Sequence, residues 1–238
     1  MRAGYPQICE IRRLRPVNPP PHEPEPTTEQ LSRRADFVTY YDAESTDRAV
    51  RPIPDWRTAA RDDFLTRLTD ERRRTVLELG CGPGRDGAAI TAAGLTYTGT
   101  DLSPGMVAAA RAAGVSAQVA SATDLPFDDD SFDAAWSMSM LMHLDDAELE
   151  SALDELVRVL VPGGLFAVGM WGAAELTIST LPGPDQGYGP PRYFHRRTDA
   201  TVRERLGRCG DVETWWTRPT SNGHRYQFAV VRSASAAR

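Results

Sequence analysis

The sequence predicts an α/β fold of the doubly wound kind, a mostly parallel sheet with helices on both faces and an antiparallel pair of strands at its C-terminal edge. Strand-like runs alternate with helix-like runs from residue 76 to residue 170, and such alternation builds a parallel sheet covered on both sides. The first strand-like run, Val76-Leu77-Glu78-Leu79, breaks into Gly80-Cys81-Gly82-Pro83-Gly84. That is how a strand hands over to a helix while leaving bare backbone for a ligand. The last β-rich runs, 212–217 and 226–231, follow each other with no helix between them, which suits an antiparallel edge.

The elements follow in order. Residues 1–35 hold Pro16, Pro19, Pro20, Pro21, Pro24 and Pro26 with few apolar side chains, too few to form a core, and are expected to be a flexible segment. Residues 36–74 form a helical lead-in, with the aromatic cluster Phe37, Tyr40 and Tyr41 and then Phe64, Leu65 and Leu68 on one helix face. The core is expected over 75–238. Strand 76–79 leads to helix 85–93, closed by Gly94, and strand 96–100 leads to helix 104–113. Ser103 is the expected N-cap there, with Pro104 in the first turn and Gly114 as the stop. Strands 115–119 and 132–137 come next. Helix 146–160 carries the clearest marks: Asp145 and Glu148 at capping-box spacing, a stripe of Leu149, Leu153, Leu156, Val157 and Leu160, and the terminator Pro162-Gly163-Gly164. Strand 165–170, a Gly/Pro-rich loop at 182–191 and a short helix at 199–206 complete the pattern.

The 238 residues suffice for one full core. No apolar run approaches the length of a membrane span and the first residues lack a signal-peptide core, so the expected location is cytoplasmic. Cys9, Cys81 and Cys209 have neither metal spacing nor an even count, so neither a metal site nor a disulfide framework is expected. The net charge of −6 argues against a nucleic-acid partner. All 27 basic residues are arginine, which excludes lysine chemistry such as a Schiff base or a phosphate-loop lysine.

The glycine turn and a later acid read as a nucleoside site. Asp101 stands 19 residues past Gly82 at the end of Tyr97-Thr98-Gly99-Thr100, where a carboxylate accepts from ribose hydroxyls. The span Gly82–Gly87 matches the dinucleotide pattern literally. Counted from Gly80, the first glycine off the strand, the sixth position is Arg85, too large for close packing under a pyrophosphate. Glu78, just before the turn, also suits a ligand with a cationic amine better than one with phosphates.

At these residues the chain resembles the class I S-adenosylmethionine-dependent methyltransferases, in their branch of small seven-stranded enzymes. The resemblance covers about residues 70–170, with a looser echo to 231. It rests on Glu78-Leu79-Gly80-Cys81-Gly82-Pro83-Gly84, on Asp101-Leu102-Ser103, on the run Asp124–Asp133, on Met142-His143-Leu144 and on Leu160-Val161-Pro162-Gly163-Gly164, five motifs in order and at the right intervals. It implies S-adenosylmethionine as cofactor, with S-adenosylhomocysteine as product. It places Gly80, Cys81 and Gly82, with Gly84 and Arg85 following, along the methionine part and ribose. Glu78 would orient the methionine amine through water, Asp101 would hold the ribose hydroxyls, Leu102 would lie on the adenine, and Ser137 would stand beside the methionine moiety. One departure is the position after the third strand, where the family often has an acid facing the adenine amino group. Here Ser121, Ala122 and Thr123 stand instead, leaving the Ala122 amide for the adenine and Asp124 as a partial substitute.

For chemistry, His143 is the first candidate for acceptor contact or proton transfer, with a structural hydrogen bond as the other reading. His195 is the second, from a tail segment that could cover the pocket. Tyr40 and Tyr41 are candidates for a lid over the cofactor, and residues 171–200 for an insert over the acceptor. Trp171, Tyr188, Tyr193 and Phe194 suggest an aromatic-walled site. The expected reaction is methyl transfer to oxygen or nitrogen, with carbon behind them, of a small molecule in secondary metabolism. The oligomeric state stays open. RNA modification through the Arg192–Arg208 run, a non-catalytic protein that binds S-adenosylmethionine, and a nicotinamide-dependent oxidoreductase are the alternatives.

Overall fold

The computed structural model describes residues 25–181, 187–220 and 223–234. Most of the Pro-rich N-terminal segment, Cys9 and residues 182–186 of the Gly/Pro-rich loop lie outside the described residues.

Two helices open the described chain, α1 (Thr28–Val50) and α2 (Asp55–Asp70). α1 starts inside the segment expected to lack structure, and its cause is local. Thr27 accepts from the Gln30 amide at 3.2 Å and the Gln30 side chain accepts from the Thr27 amide at 2.8 Å, a complete capping box that the sequence reading passed over. Then come β1 (Thr75–Leu79), α3 (Arg85–Ala92), β2 (Thr96–Asp101), α4 (Pro104–Ala112), β3 (Ala117–Val119), β4 (Phe132–Met138), a 3-10 turn at Leu141–His143, and α5 (Asp146–Val159). The chain closes with β5 (Leu160–Gly172), β6 (Thr177–Leu181), β7 (Arg192–Arg196), α6 (Asp199–Cys209), β8 (Gly210–Pro219) and β9 (Arg225–Ser233). Ser103 caps α4 through the Met106 amide at 3.0 Å, and Asp145 with Glu148 forms the capping box of α5.

The main sheet has seven strands in the order β3-β2-β1-β4-β5-β9-β8. β3 through β5 run parallel; β9 is antiparallel to both β5 and β8. β9 therefore lies inside the sheet, and β8 forms the edge opposite β3. Burial follows this placement, since Tyr226 through Val231 are all buried whereas β8 is largely half-exposed. Side chains alternate across the sheet. Leu77 and Leu79 of β1, with Phe166 and Val168 of β5, join α5 and α6 in one core. Val76, Leu165 and Ala167 face the other way onto Phe64, Leu65 and Leu68 of α2 and Ile90 of α3. A second sheet, β6 paired antiparallel with β7, flanks the expected loop at 182–191 and lies within the insert expected over 171–200.

The strand order reverses between β1 and β4. The crevice beyond their C-terminal ends is where ligands bind in open α/β sheets, and α1 packs over it against α4 and β7.

Candidate functional site

A cleft of about 890 Å³ opens at this reversal point, between the ends of β1, β2 and β4 and the covering helix α1. Its floor is the glycine turn. Gly80, Gly82 and Gly84 have φ of 69°, 54° and 78°, the left-handed region that side chains disfavour. A Cβ on Gly80 would meet Met140 Cγ at 2.6 Å, whereas one on Gly82 would meet nothing nearer than Arg48 Nε at 3.9 Å. Gly80 thus allows β1 to end against the segment after β4, and Gly82 leaves backbone open to the cleft.

Asp101 ends β2 at the cleft wall. Its Oδ2 accepts from the Gly82 amide at 2.8 Å and its Oδ1 from the Ser103 amide at 3.0 Å. Burial pushes its pKa up and these amides push it back. Each oxygen keeps a lone pair for a further donor, the arrangement that a pair of vicinal hydroxyls requires. Leu102, Met106 and Ala122 add apolar wall beside it, and Ser121 lines the same side. The Ser121 hydroxyl is held on Thr123 Oγ1 at 2.9 Å.

α1 supplies a set of residues that the sequence reading missed: Arg33, Arg34, Phe37 and Arg48 line the cleft with Tyr41. Arg33 and Arg34 reach 114 or more positions along the chain to Glu148 at 3.3 and 3.2 Å, and Arg33 also binds Asp145. Arg48 lies across from Gly82 and pairs with the fully buried Glu44 at 3.0 Å, which Arg51 shares at 2.9 Å. Arg85 donates to the Arg51 carbonyl. Burial, and then Arg48, Arg57 and Arg51, lower its pKa to about 10. Cations outnumber anions on this side of the glycine turn, which leaves room for an anionic group.

Beyond β4, Met138, Ser139 and Met140 line the cleft with His143 and Leu144. His143 is 6% exposed; its Nδ1 lies 2.8 Å from the Tyr193 carbonyl and its Nε2 lies 2.8 Å from the Tyr41 hydroxyl. Burial drives its pKa down to about 3, and Arg192, Arg48 and Arg196 add to the effect while the hydrogen bond to Tyr193 opposes it.

Several expected residues stand outside the cleft lining. Glu78 is 2% exposed and accepts from the Tyr97 hydroxyl at 2.6 Å. Burial and then Asp86 hold its pKa well above the carboxylate range, so its side chain is turned to the interior. Cys81 is buried under Gly99, and burial raises its thiol pKa. Gly84 caps α3 against Val115. Ser137 donates to the Leu79 carbonyl at 3.1 Å inside the sheet. β4 runs to Met138, and Ser139, at φ 61°, is the serine that turns into the cleft. Thr123 is buried beneath Ser121, and Asp124 is exposed away from the cleft. Tyr40 is buried under the Arg192 guanidinium, 4.5 Å from its ring centre, and packs edge-on to Tyr188, so of the two tyrosines only Tyr41 reaches the cleft. His195 is buried beside Asp146, 3.8 Å away, and does not line the cleft.

A methyltransferase-domain family model matches residues 77–168, which contain the glycine turn, Asp101 and His143. An uncharacterized methyltransferase of Mycolicibacterium vanbaalenii is 34% identical over 197 residues, covering 76% of this chain and 73% of the relative. The chain belongs to the class I S-adenosylmethionine-dependent methyltransferase family. A demethylmenaquinone methyltransferase of Clavibacter sepedonicus is 37% identical over 165 residues, 67% of this chain, and the match spans 63% of that relative's length. Among solved structures, the Burkholderia thailandensis 1,6-didemethyltoxoflavin-N1-methyltransferase, with 1,6-didemethyltoxoflavin and S-adenosylhomocysteine bound, shares the fold at a TM-score of 0.62. It is 21% identical, and the match covers 89% of this chain and 92% of that one.

S-adenosylmethionine is accordingly the cofactor, and the cleft fits it on its own chemistry. Asp101 offers two acceptors for a ribose, Leu102 and Ala122 offer apolar surface beside Ser121 for a base, and the cationic excess around Arg48 faces the open backbone of Gly82. Among the described residues no helix is long and apolar enough to cross a membrane, and no cluster has the make-up of a metal site.

Proposed function

We propose that the chain transfers the methyl group of S-adenosylmethionine to an oxygen or nitrogen atom of a small molecule, with carbon acceptors ranked behind them and a role in secondary metabolism. The observation that carries this reading is the single continuous cleft. One half of it has the groups a nucleoside and an amino-acid carboxylate need, and the other half is walled by Phe37, Tyr41, Met140 and Leu144. Bound S-adenosylmethionine supplies an already activated methyl group. The protein's part is then to align donor and acceptor and to exclude water. In this reading Asp101 accepts from the ribose, Leu102, Ser121 and Ala122 flank the adenine, Gly80 and Gly82 admit the chain backbone close to the cofactor, and Arg48 meets the methionine carboxylate. α1 and the β6–β7 sheet cover the acceptor, and the protein works in the cytoplasm, where its cofactor is made.

The RNA alternative needs a free cationic face next to the cleft mouth. Arg196 and Arg197 are buried, Arg197 and Arg205 bind Asp146, and Arg208 binds Glu204. Arg192 lies over the Tyr40 ring and Arg203 over the Trp215 ring. With half of the six arginines in the run paired with carboxylates, less charge is left for phosphates, which favours the small-molecule reading. A non-catalytic binding role would share the cofactor half of the cleft and differ only in giving no product.

Calorimetric titration with S-adenosylmethionine, S-adenosylhomocysteine and NADH tests the reading. Micromolar binding of the first two and none of NADH is expected. A folded protein that binds neither adenosyl compound would overturn it.

A further inference from the structure

His143 has no free nitrogen to offer a substrate. Its Nδ1 lies 2.8 Å from the Tyr193 carbonyl oxygen, and a carbonyl only accepts, so Nδ1 carries the proton. The neutral ring then has a bare Nε2. The Tyr41 hydroxyl, 2.8 Å from it, must be the donor. The one proton of Tyr41 is therefore committed to His143, and the phenolic oxygen has only lone pairs left. Both residues line the cleft with Phe37, Met140 and Leu144, and the Arg48 and Arg192 guanidiniums lie 5.4 and 5.9 Å from the centre of the Tyr41 ring. The pair is held rigidly: the His143 ring packs between Phe37, at 4.9 Å, and Phe194, at 4.7 Å.

We propose that Tyr41 is the residue that meets the methyl acceptor, and that it selects an aromatic acceptor presenting a neutral O–H or N–H group, with His143 acting only through Tyr41 as a positioning residue. This rests on the methyltransferase reading given above. An acceptor hydroxyl or amine donates its proton to Tyr41 Oη, which leaves its own lone pair turned away from Tyr41 and free to attack. A carboxylate, an ether or an already methylated product brings lone pairs against lone pairs and is disfavoured. The Phe37 ring and the polarizable Met140 side chain suit a ring behind the reacting atom.

The same chain of hydrogen bonds accounts for the proton. As the bond from the acceptor atom to the methyl carbon forms and the carbon–sulfur bond breaks, the acceptor's proton passes to Tyr41 Oη. The Tyr41 proton passes to His143 Nε2. An imidazolium thus appears as the cleft loses the positive charge of the sulfonium, so the charge within the cleft is conserved through the step. Before the step, burial and the nearby Arg192, Arg48 and Arg196 keep the ring neutral, and the direction of the Tyr41 hydrogen bond stays fixed. The same surroundings then return the proton to water once product leaves.

The test is calorimetric binding to protein saturated with S-adenosylhomocysteine, using 2-naphthol, 2-naphthylamine, 2-methoxynaphthalene and 2-naphthoate as ring probes. The native protein should bind the naphthol and the naphthylamine about fivefold or more tightly than the methoxy compound and the naphthoate, the scale of one net hydrogen bond. Tyr41→Phe should bind S-adenosylhomocysteine as before and lose the preference. His143→Leu frees the Tyr41 proton to donate, so the methoxy compound and the naphthoate should gain on the naphthol. A purely structural role for His143 would not reverse the order in this way. The proposal is overturned if the native protein prefers naphthoate or the ether, if none of the probes binds, or if the preference survives Tyr41→Phe. Failure to bind S-adenosylhomocysteine at all would instead show itself before any probe is added, and would remove the methyltransferase reading.

Discussion

Arg57 of α2 donates to Asp86 of α3 at 2.5 Å, and the same carboxylate, 2% exposed, accepts from the Trp136 indole of β4 at 3.2 Å. Arg61 completes the set at 3.3 Å. Asp86 is in the first turn of α3, directly after the glycine turn, where the helix N-terminus also favours a negative charge. Burial alone would raise the Asp86 pKa, yet Arg57, Trp136 and Arg61 hold it below the usual carboxylate range. One buried carboxylate therefore ties α2, α3 and β4 together immediately behind the floor of the cleft.

Asp86→Ala leaves the Arg57 guanidinium buried without its acceptor. Such a loss costs about 3–5 kcal/mol, to be read as a fall in the urea midpoint. The double variant Arg57→Met with Asp86→Leu should recover a large part of that loss, because no charge is left stranded. An Asp86→Ala protein with native stability would mean that water already solvates Arg57.

Asp101→Ala should weaken S-adenosylhomocysteine binding by about 1–3 kcal/mol, the cost of withdrawing hydrogen-bond acceptors from buried donors. The Gly82 and Ser103 amides lose their acceptor as well, so the melting temperature should be checked alongside. Unchanged affinity in a folded variant would remove Asp101 from the ribose.

Arg48→Gln separates the two ends of the cofactor. If Arg48 meets the methionine carboxylate, the variant should lose about tenfold in affinity for S-adenosylhomocysteine, the scale of one charge-assisted hydrogen bond. It should keep its affinity for 5′-methylthioadenosine, which lacks that carboxylate. Equal losses for both compounds would show that Arg48 acts by holding Glu44 and α1 in place.

The glycine-turn end of the cleft was legible in the sequence because its parts are local. Gly80, Gly82 and Asp101 sit at strand ends where backbone geometry restricts the choice of residue, and α1 does not share that property. Arg33 and Arg34 find their partners only when α5 is packed against them, and nothing near them in the sequence points to a cleft. Serine parity misled in the same way: β4 continues to Met138, so Ser137 faces into the sheet and Ser139 takes the cleft. The interior place of β9 was signalled by its unbroken apolar run, Phe228 to Val231, against the alternation in β8. β6 and β7 carried little signal, because two short strands depend on packing against the 3-10 turn and α1 rather than on intrinsic preference.

The hydrogen bonds of His143 also set a pH dependence of stability. Its folded pKa is pushed down to about 3, against about 6.5 for a free histidine. Between these values the unfolded chain holds a proton that the folded chain does not. The unfolded state therefore gains as pH falls below about 6.5, by about 1.4 kcal/mol per pH unit from this residue. The stability linked to the neutral ring is complete above pH 6.5. Burial lowers the pKa of His195 too, and its contribution has the same sign. Glu71, held at about 2 by Arg232, Arg67 and Arg73, adds a further loss only below the ordinary glutamate range. Glu78, whose folded pKa is raised, contributes with the opposite sign between pH 7 and pH 5, so the His143 term is isolated by the difference between the native protein and a His143 variant in urea unfolding over that window. His143→Gln should flatten the slope by about 1 kcal/mol per pH unit averaged over that window, approaching about 1.4 only near pH 5, whatever it does to stability at pH 7. Parallel profiles for the native protein and the variant would mean that His143 is already protonated in the folded protein over this window, with its Nε2 donating to the Tyr41 oxygen instead of accepting from it.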